Sequence, residues 1–120
     1  MELNKITEII IGSCYEVYNT LGFGFLEKVY ENALAYELRS KKMDIKTQTK
    51  TVVYYKGHVI GLYVSDLIVN DSVIVELKTM KETDPVHKAQ VLNYLKATNL
   101  KLGLLVNFSP KTVEVKRIVN

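Results

Sequence analysis

The stretch from Tyr63 to Met80, YVSDLIVNDSVIVELKTM, leaves the chain few ways to fold. Two runs rich in Val, Ile and Leu flank Asn70-Asp71-Ser72, which predicts an antiparallel hairpin. With Asp71 at its centre, facing residues have numbers that sum to 142, twice 71. Side chains alternate between the two faces of a strand. Leu67, Val69, Val73, Val75 and Leu77 therefore share one apolar face, while Asp66 lies opposite Glu76 on the other, with Lys78 two positions along. A slip of one residue would bury the charges and expose the valines, so the pattern itself selects this register.

The rest of the chain can be read around that hairpin. Ile6, Ile9, Ile10, Cys14, Val17 and Leu21 recur at helical spacing and predict a helix over 4–20, with Asn4 as its cap and Gly22 as its stop. Gly22-Phe23-Gly24 is a joint, and a second helix runs from Leu26 to about Arg39, with Leu26, Val29, Tyr30, Ala33 and Leu34 facing the core. Strands are expected at 45–55, 59–69 and 73–79. Pro85 opens a helix over 86–98 with Ala89, Leu92 and Leu95 on one face, and strands follow at 102–106 and 113–119. The order ααβββαββ predicts an α/β fold in which helices pack on a mixed sheet.

A chain of 120 residues and 48% hydrophobic content makes one domain spanning 1–120, and its apolar fraction excludes disorder. No run approaches the roughly 20 apolar residues of a membrane span, so no membrane partner is expected. Glu8 and Glu16 flank Ile9-Ile10-Ile11, which argues against a signal peptide. Cys14 is alone, so there is no internal disulfide, and a cytoplasmic location is expected. The net charge of +3 permits an anionic partner without demanding one.

Two neighbouring carboxylates on a rigid sheet repel unless a proton or cation sits between them. A hard ion such as Mg²⁺ takes one or two carboxylates and leaves positions for water and a substrate phosphate. The alternative is a cross-strand salt bridge, Lys78 pairing with Asp66 or Glu76 on a solvated face. Spacing alone leaves both readings open.

Asp66, nine residues, then Glu76-Leu77-Lys78 resembles the D…(D/E)xK signature of the PD-(D/E)xK nuclease superfamily. Gly24-Phe25-Leu26-Glu27-Lys28-Val29-Tyr30 reproduces the motif of the GxxExxY protein family within it, and Gln90 to Tyr94 resembles the Q-x-x-x-Y helix that follows the catalytic hairpin in many members. The likeness runs from about Ile6 to Phe108 and implies a restriction-endonuclease-like αβββαβ core. It implies that Asp66, Glu76, the Leu77 carbonyl and Glu27 serve a Mg²⁺ or Mn²⁺ ion, that Lys78 positions or activates water, and that Gln90 and Tyr94 line the site. Ser65 replaces the proline of the signature and Phe23 stands where many relatives have proline; neither removes a ligand.

Other candidates read as ordinary surface. Glu31 lies one turn from Glu27 and competes with it, but the motif favours Glu27. Glu114-Val115-Lys116 has no upstream aspartate in register; Glu16 and His58 are surface groups, and His87 is a solvated or capping residue. Tyrosines could stack on bases, but Tyr15, Tyr18, Tyr36, Tyr54, Tyr55 and Tyr63 fit core edges equally well, and Lys41, Lys42, Lys46, Lys50 and Lys56 form a basic rim, either solvated or touching phosphate. The expected activity is metal-dependent hydrolysis of phosphodiester bonds in DNA before RNA, by a homodimer or with a protein partner that delivers substrate. The competing expectation is a catalytically silent module that binds nucleic acid or protein.

Overall fold

The computed structural model describes residues 1–120. Its elements are α1 (Leu3–Leu21), α2 (Glu27–Ser40), β1 (Ile45–Tyr55), β2 (His58–Val69), β3 (Val73–Lys78), α3 (Pro85–Thr98), β4 (Leu102–Phe108) and β5 (Val113–Val119). Five strands form one sheet in the order β1-β2-β3-β4-β5, with β3 and β4 parallel and the other neighbours antiparallel. The parallel pair needs a crossover, which α3 supplies. No helix is long and apolar enough to cross a membrane.

Helices cover both faces of the sheet. Leu67, Val69, Val73, Val75 and Leu77 pack with α1 and α2 in the larger core, together with Leu104, Val106 and Phe108 of β4. Ile68, Ile74, Leu105 and Ile118 meet Val91 and Leu95 of α3 on the opposite face. The hairpin register is the expected one, Val69 opposite Val73 and Leu67 opposite Val75, around a turn in which Asn70 and Asp71 both have positive φ.

Three local expectations are corrected. The first helix starts earlier, with Glu2 as its cap, so Asn4 lies inside it and its Oδ1 instead accepts from Arg117 Nη2 at 3.0 Å. On α2 the buried stripe is Tyr30, Glu31, Leu34, Ala35 and Leu38; Leu26 precedes the first helical turn and is exposed, as is Val29. On α3 Val91 and Leu95 are buried and Ala89 is exposed. Gly103 explains this choice, because a Cβ there would come within 2.8 Å of Val91 Cγ1, so the missing side chain lets Val91 seat against β4. The helix opens on Asp84, which accepts from Val86 N, while His87 Nδ1 accepts from Asp84 N in a capping box.

Candidate active site

The candidate site lies where β2 and β3 part. Their ladder ends at Leu67–Val75, one pair before Asp66 and Glu76 would face each other. The Asp66 side chain takes over, its Oδ2 accepting from the Leu77 N–H at 2.9 Å. In an extended strand a residue's N–H and C=O leave on the same edge, so the Leu77 carbonyl emerges beside Asp66. Across β2, Gln48 of β1 stands opposite Asp66, between the pairs Thr47–Leu67 and Thr49–Ser65, and has φ +51°.

Alternation of faces breaks at the same point. Leu67 belongs to the core under α1 and α2, yet Tyr63, four residues earlier, stacks on Tyr94 of α3 with centroids 3.4 Å apart. A strand of strict period two would put both on one face. The twist brings the Tyr63 hydroxyl to Glu76, to which it donates a hydrogen bond. Ser65, between them, is buried and its hydroxyl has no hydrogen-bond partner.

Glu76 is buried, only 7% exposed, and Lys78 forms no salt bridge with it or with Asp66, so the alternative of a cross-strand pair on a solvated face is not what the structure shows. Burial first, and the Asp66 carboxylate second, push the Glu76 pKa up to about 8. Burial likewise raises Tyr63, with Glu76 adding to the shift. Tyr94 is raised by burial and then by Glu76 and Asp66. Lys78, half-buried at the end of β3, lies beside Asn107 of β4. The buried Asn107 amide clamps the strand exit, accepting from Met80 N at 3.0 Å and donating to Met80 O at 2.9 Å.

Glu27, the first residue of α2, is exposed and lies within electrostatic range of Lys78 and Asp66. Its pKa is raised by burial, lowered by Lys78 and raised by Asp66, so it feels both groups. Tyr30 explains how the helix start is fixed. Fully buried, it stacks on Phe108 with centroids 4.3 Å apart and donates to the Gly22 carbonyl at 2.5 Å, which ties the Gly22–Gly24 joint to the core. Glu31, 3% exposed, is committed elsewhere: it pairs with Lys28 at 2.7 Å and accepts from Gln48 Nε2 at 2.6 Å. Gln90 is exposed on α3 and forms no side-chain hydrogen bond, whereas Tyr94 stacks on Tyr63, which donates to Glu76.

No three Asp, Glu, His or Cys side chains converge as a metal cage, so the expected set of three acids is not assembled. What converges is smaller. Asp66 and Glu76 each have one oxygen engaged, by Leu77 N and by Tyr63, and one left over. Two such oxygens and a main-chain carbonyl are hard donors that suit Mg²⁺ or Mn²⁺, ions that keep several waters. The basic rim is broken, since Lys46 pairs with Asp71 at 2.5 Å and Lys41 with Glu16 at 2.5 Å. Lys116 donates to Thr83 Oγ1 at 2.8 Å and lies outside the site.

A family model described as the PD-(D/E)XK nuclease superfamily matches residues 4–118. None of the curated proteins matches the sequence. Among solved structures, one titled "Crystal structure of SSO0001" is 21% identical with a TM-score of 0.59, over 98% of this chain and 58% of that one. The chain thus spans little more than half the length of that protein, and the likeness is one of fold. An alkaline exonuclease from Laribacter hongkongensis is 9% identical with a TM-score of 0.44, over 95% of this chain and 82% of that one.

Proposed function

The chain belongs to the PD-(D/E)XK nuclease superfamily, and from that premise we propose that it is a divalent-metal-dependent nuclease that hydrolyses phosphodiester bonds, in DNA before RNA. Within the superfamily the run Gly24–Tyr30 supports membership of the GxxExxY family. The observation that carries the reading is the pair Asp66 and Glu76 at the parting of β2 and β3, each with a free oxygen, beside Lys78 and the Leu77 carbonyl edge.

Asp66, Glu76 and the Leu77 carbonyl would hold Mg²⁺ or Mn²⁺, and Glu27 would reach its waters. Such an ion, when bound, acts as a Lewis acid on the phosphate and lowers the pKa of water. Tyr63, braced by Tyr94, holds the Glu76 carboxylate in place. Lys78 orients the attacking water and offsets the charge that develops on the phosphate. Gln90, exposed on the turn of α3 before Tyr94, is free to meet substrate. The domain leaves little surface for reading sequence, which favours structure-dependent cleavage, a second copy that addresses the other strand, or a protein that delivers substrate. Cys14, buried with its thiol pushed up to about 12, suits a reducing compartment such as the cytoplasm.

The test is cleavage of end-labelled single-stranded, duplex and branched DNA, with RNA alongside, in Mg²⁺ or Mn²⁺. Cutting is expected with metal, none with EDTA, and none from Asp66→Asn. The absence of a third converging acid favours the silent binding module as the rival. Metal-independent retention of these substrates without cutting would establish that rival instead.

A further inference from the structure

The acids of this chain are unevenly placed. Of its 13 Asp and Glu residues, none falls in β1, in β2 before Asp66, or in α3. Lys50, Lys56, Lys88 and Lys96, which lie in or between those elements, are exposed and form no ion pair. β2 pairs with β3 only from Leu67 to Val69, so β1 and the first part of β2 project as a two-stranded arm. Near its tip the register slips between Val53 and Tyr54: Val53 faces Gly61, Tyr54 faces Val59, and Ile60 is the extra residue. A bulge of this kind interrupts the edge and re-aims the side chains beside it. Tyr54 is 65% exposed, and Tyr55, also exposed, has Lys56 Nζ 5.3 Å from its ring centroid.

Two hollows lie between the arm and α3. Val52, Val53, Tyr54, Asn93, Lys96 and Ala97 line the outer one. Val53 also lines the inner one, together with Gly61, Tyr63, Tyr94 and Glu76. Adjoining at Val53, they make one path from the tip of the arm to the carboxylate pair.

We infer that this path holds a single-stranded segment of nucleic acid, with bases stacked on Tyr54 and phosphates beside Lys56 and Lys96. The inference rests on the nuclease reading of Asp66 and Glu76 and names the form of substrate that reaches them. The path offers two things, exposed ring and aliphatic surface and cations without acidic partners, and a nucleotide strand needs both. Its phosphates gain from cations in a stretch free of carboxylates. Its bases have π-faces that stack on an aromatic ring whatever the sequence. A duplex keeps those faces inside its own stack, so only unpaired bases can use Tyr54. An acidic peptide would meet the lysines but would leave the exposed ring unused.

Anisotropy of a fluorescein-labelled oligodeoxythymidylate, measured on the full chain in EDTA, reads binding without cutting. Saturable binding is expected, weakened about tenfold or more by Tyr54→Ala and kept by Tyr54→Phe. Tyr54 is exposed, so both variants should retain the wild-type circular dichroism. Lys56→Ala and Lys96→Ala should each flatten the slope of log affinity against log salt by about 0.7. Lys5→Ala, on exposed α1, should leave that slope unchanged. A blunt duplex of equal length should bind more weakly and be indifferent to Tyr54→Ala. No binding of the single strand, equal losses for single strand and duplex with Tyr54→Ala, or unchanged salt slopes in both lysine variants would overturn the inference. If the variants behave as stated but no metal supports cutting, the nuclease reading fails and the path stands. If metal supports cutting yet Tyr54→Ala leaves single-strand binding intact, the path alone fails.

Discussion

Lys78→Ala is expected to lower the cleavage rate at saturating substrate by about 10²–10³-fold, the loss typical of one preorganised charge at a developing oxyanion. Oligonucleotide binding should change far less. The reason is position. Lys78 is half-buried at the last residue of β3, and Asn107 pins the Met80 backbone just beyond it at 3.0 and 2.9 Å. The backbone that carries the ammonium is therefore fixed at the end of the strand that bears Glu76, and little ordering remains to be done during the reaction. Lys78→Arg should not restore the rate, because a planar guanidinium cannot take the place of a compact ammonium against a half-buried wall. Rapid-quench rates measured beside fluorescence anisotropy separate the two effects. Equal loss of binding and rate would mean that Lys78 is only a substrate anchor.

The second large effect concerns stability in metal-free buffer. The pKa of Glu76 stands at about 8 in the folded chain against an ordinary 4.5, so between those values the folded state holds a proton that the unfolded state has released. Stability must then fall as pH rises through that window and level off above it. At about 1.4 kcal/mol per pH unit, the loss is on the order of 3–5 kcal/mol. Glu76→Gln cannot lose that proton, so its urea midpoint should stay flat where the wild type declines, and at pH 8 the variant should be the more stable protein. Saturating Mg²⁺ should recover much of the wild-type loss by neutralising the pair. Parallel pH slopes for the two proteins would show that Glu76 is not held protonated by burial and Asp66.

Much of this arrangement is legible in the sequence, and the failures have definite causes. The register of β2 on β3 could be read because the unbroken apolar face Leu67, Val69, Val73, Val75 and Leu77 tolerates no slip. The capping role of His87 follows from its place three residues after Asp84. Tyr63 could not be found by counting alternation, since the strand twists at Asp66, where its ladder to β3 ends and Gln48 turns to positive φ. Glu31 escapes because a helix face is judged by its apolar residues, whereas this acid is buried by its pairing with Lys28 and Gln48. Asn107 did leave a signal: it is the one polar side chain in the run Leu102–Phe108. The alternative of a solvated salt bridge at Glu76 is excluded by α3, which covers that side and packs on Ile68 and Ile74, a packing that strand alternation alone does not reveal.

The central claim is that Asp66 and Glu76 form a divalent-cation site for phosphodiester hydrolysis. Calorimetric titration with Mn²⁺ tests it most directly, in the presence of a non-cleavable oligonucleotide that supplies the phosphate ligand. Saturable binding that Asp66→Ala removes is the expected result. Binding that is absent from the wild type, or unchanged by Asp66→Ala, would contradict the account and leave the carboxylate pair as a structural feature of a binding module.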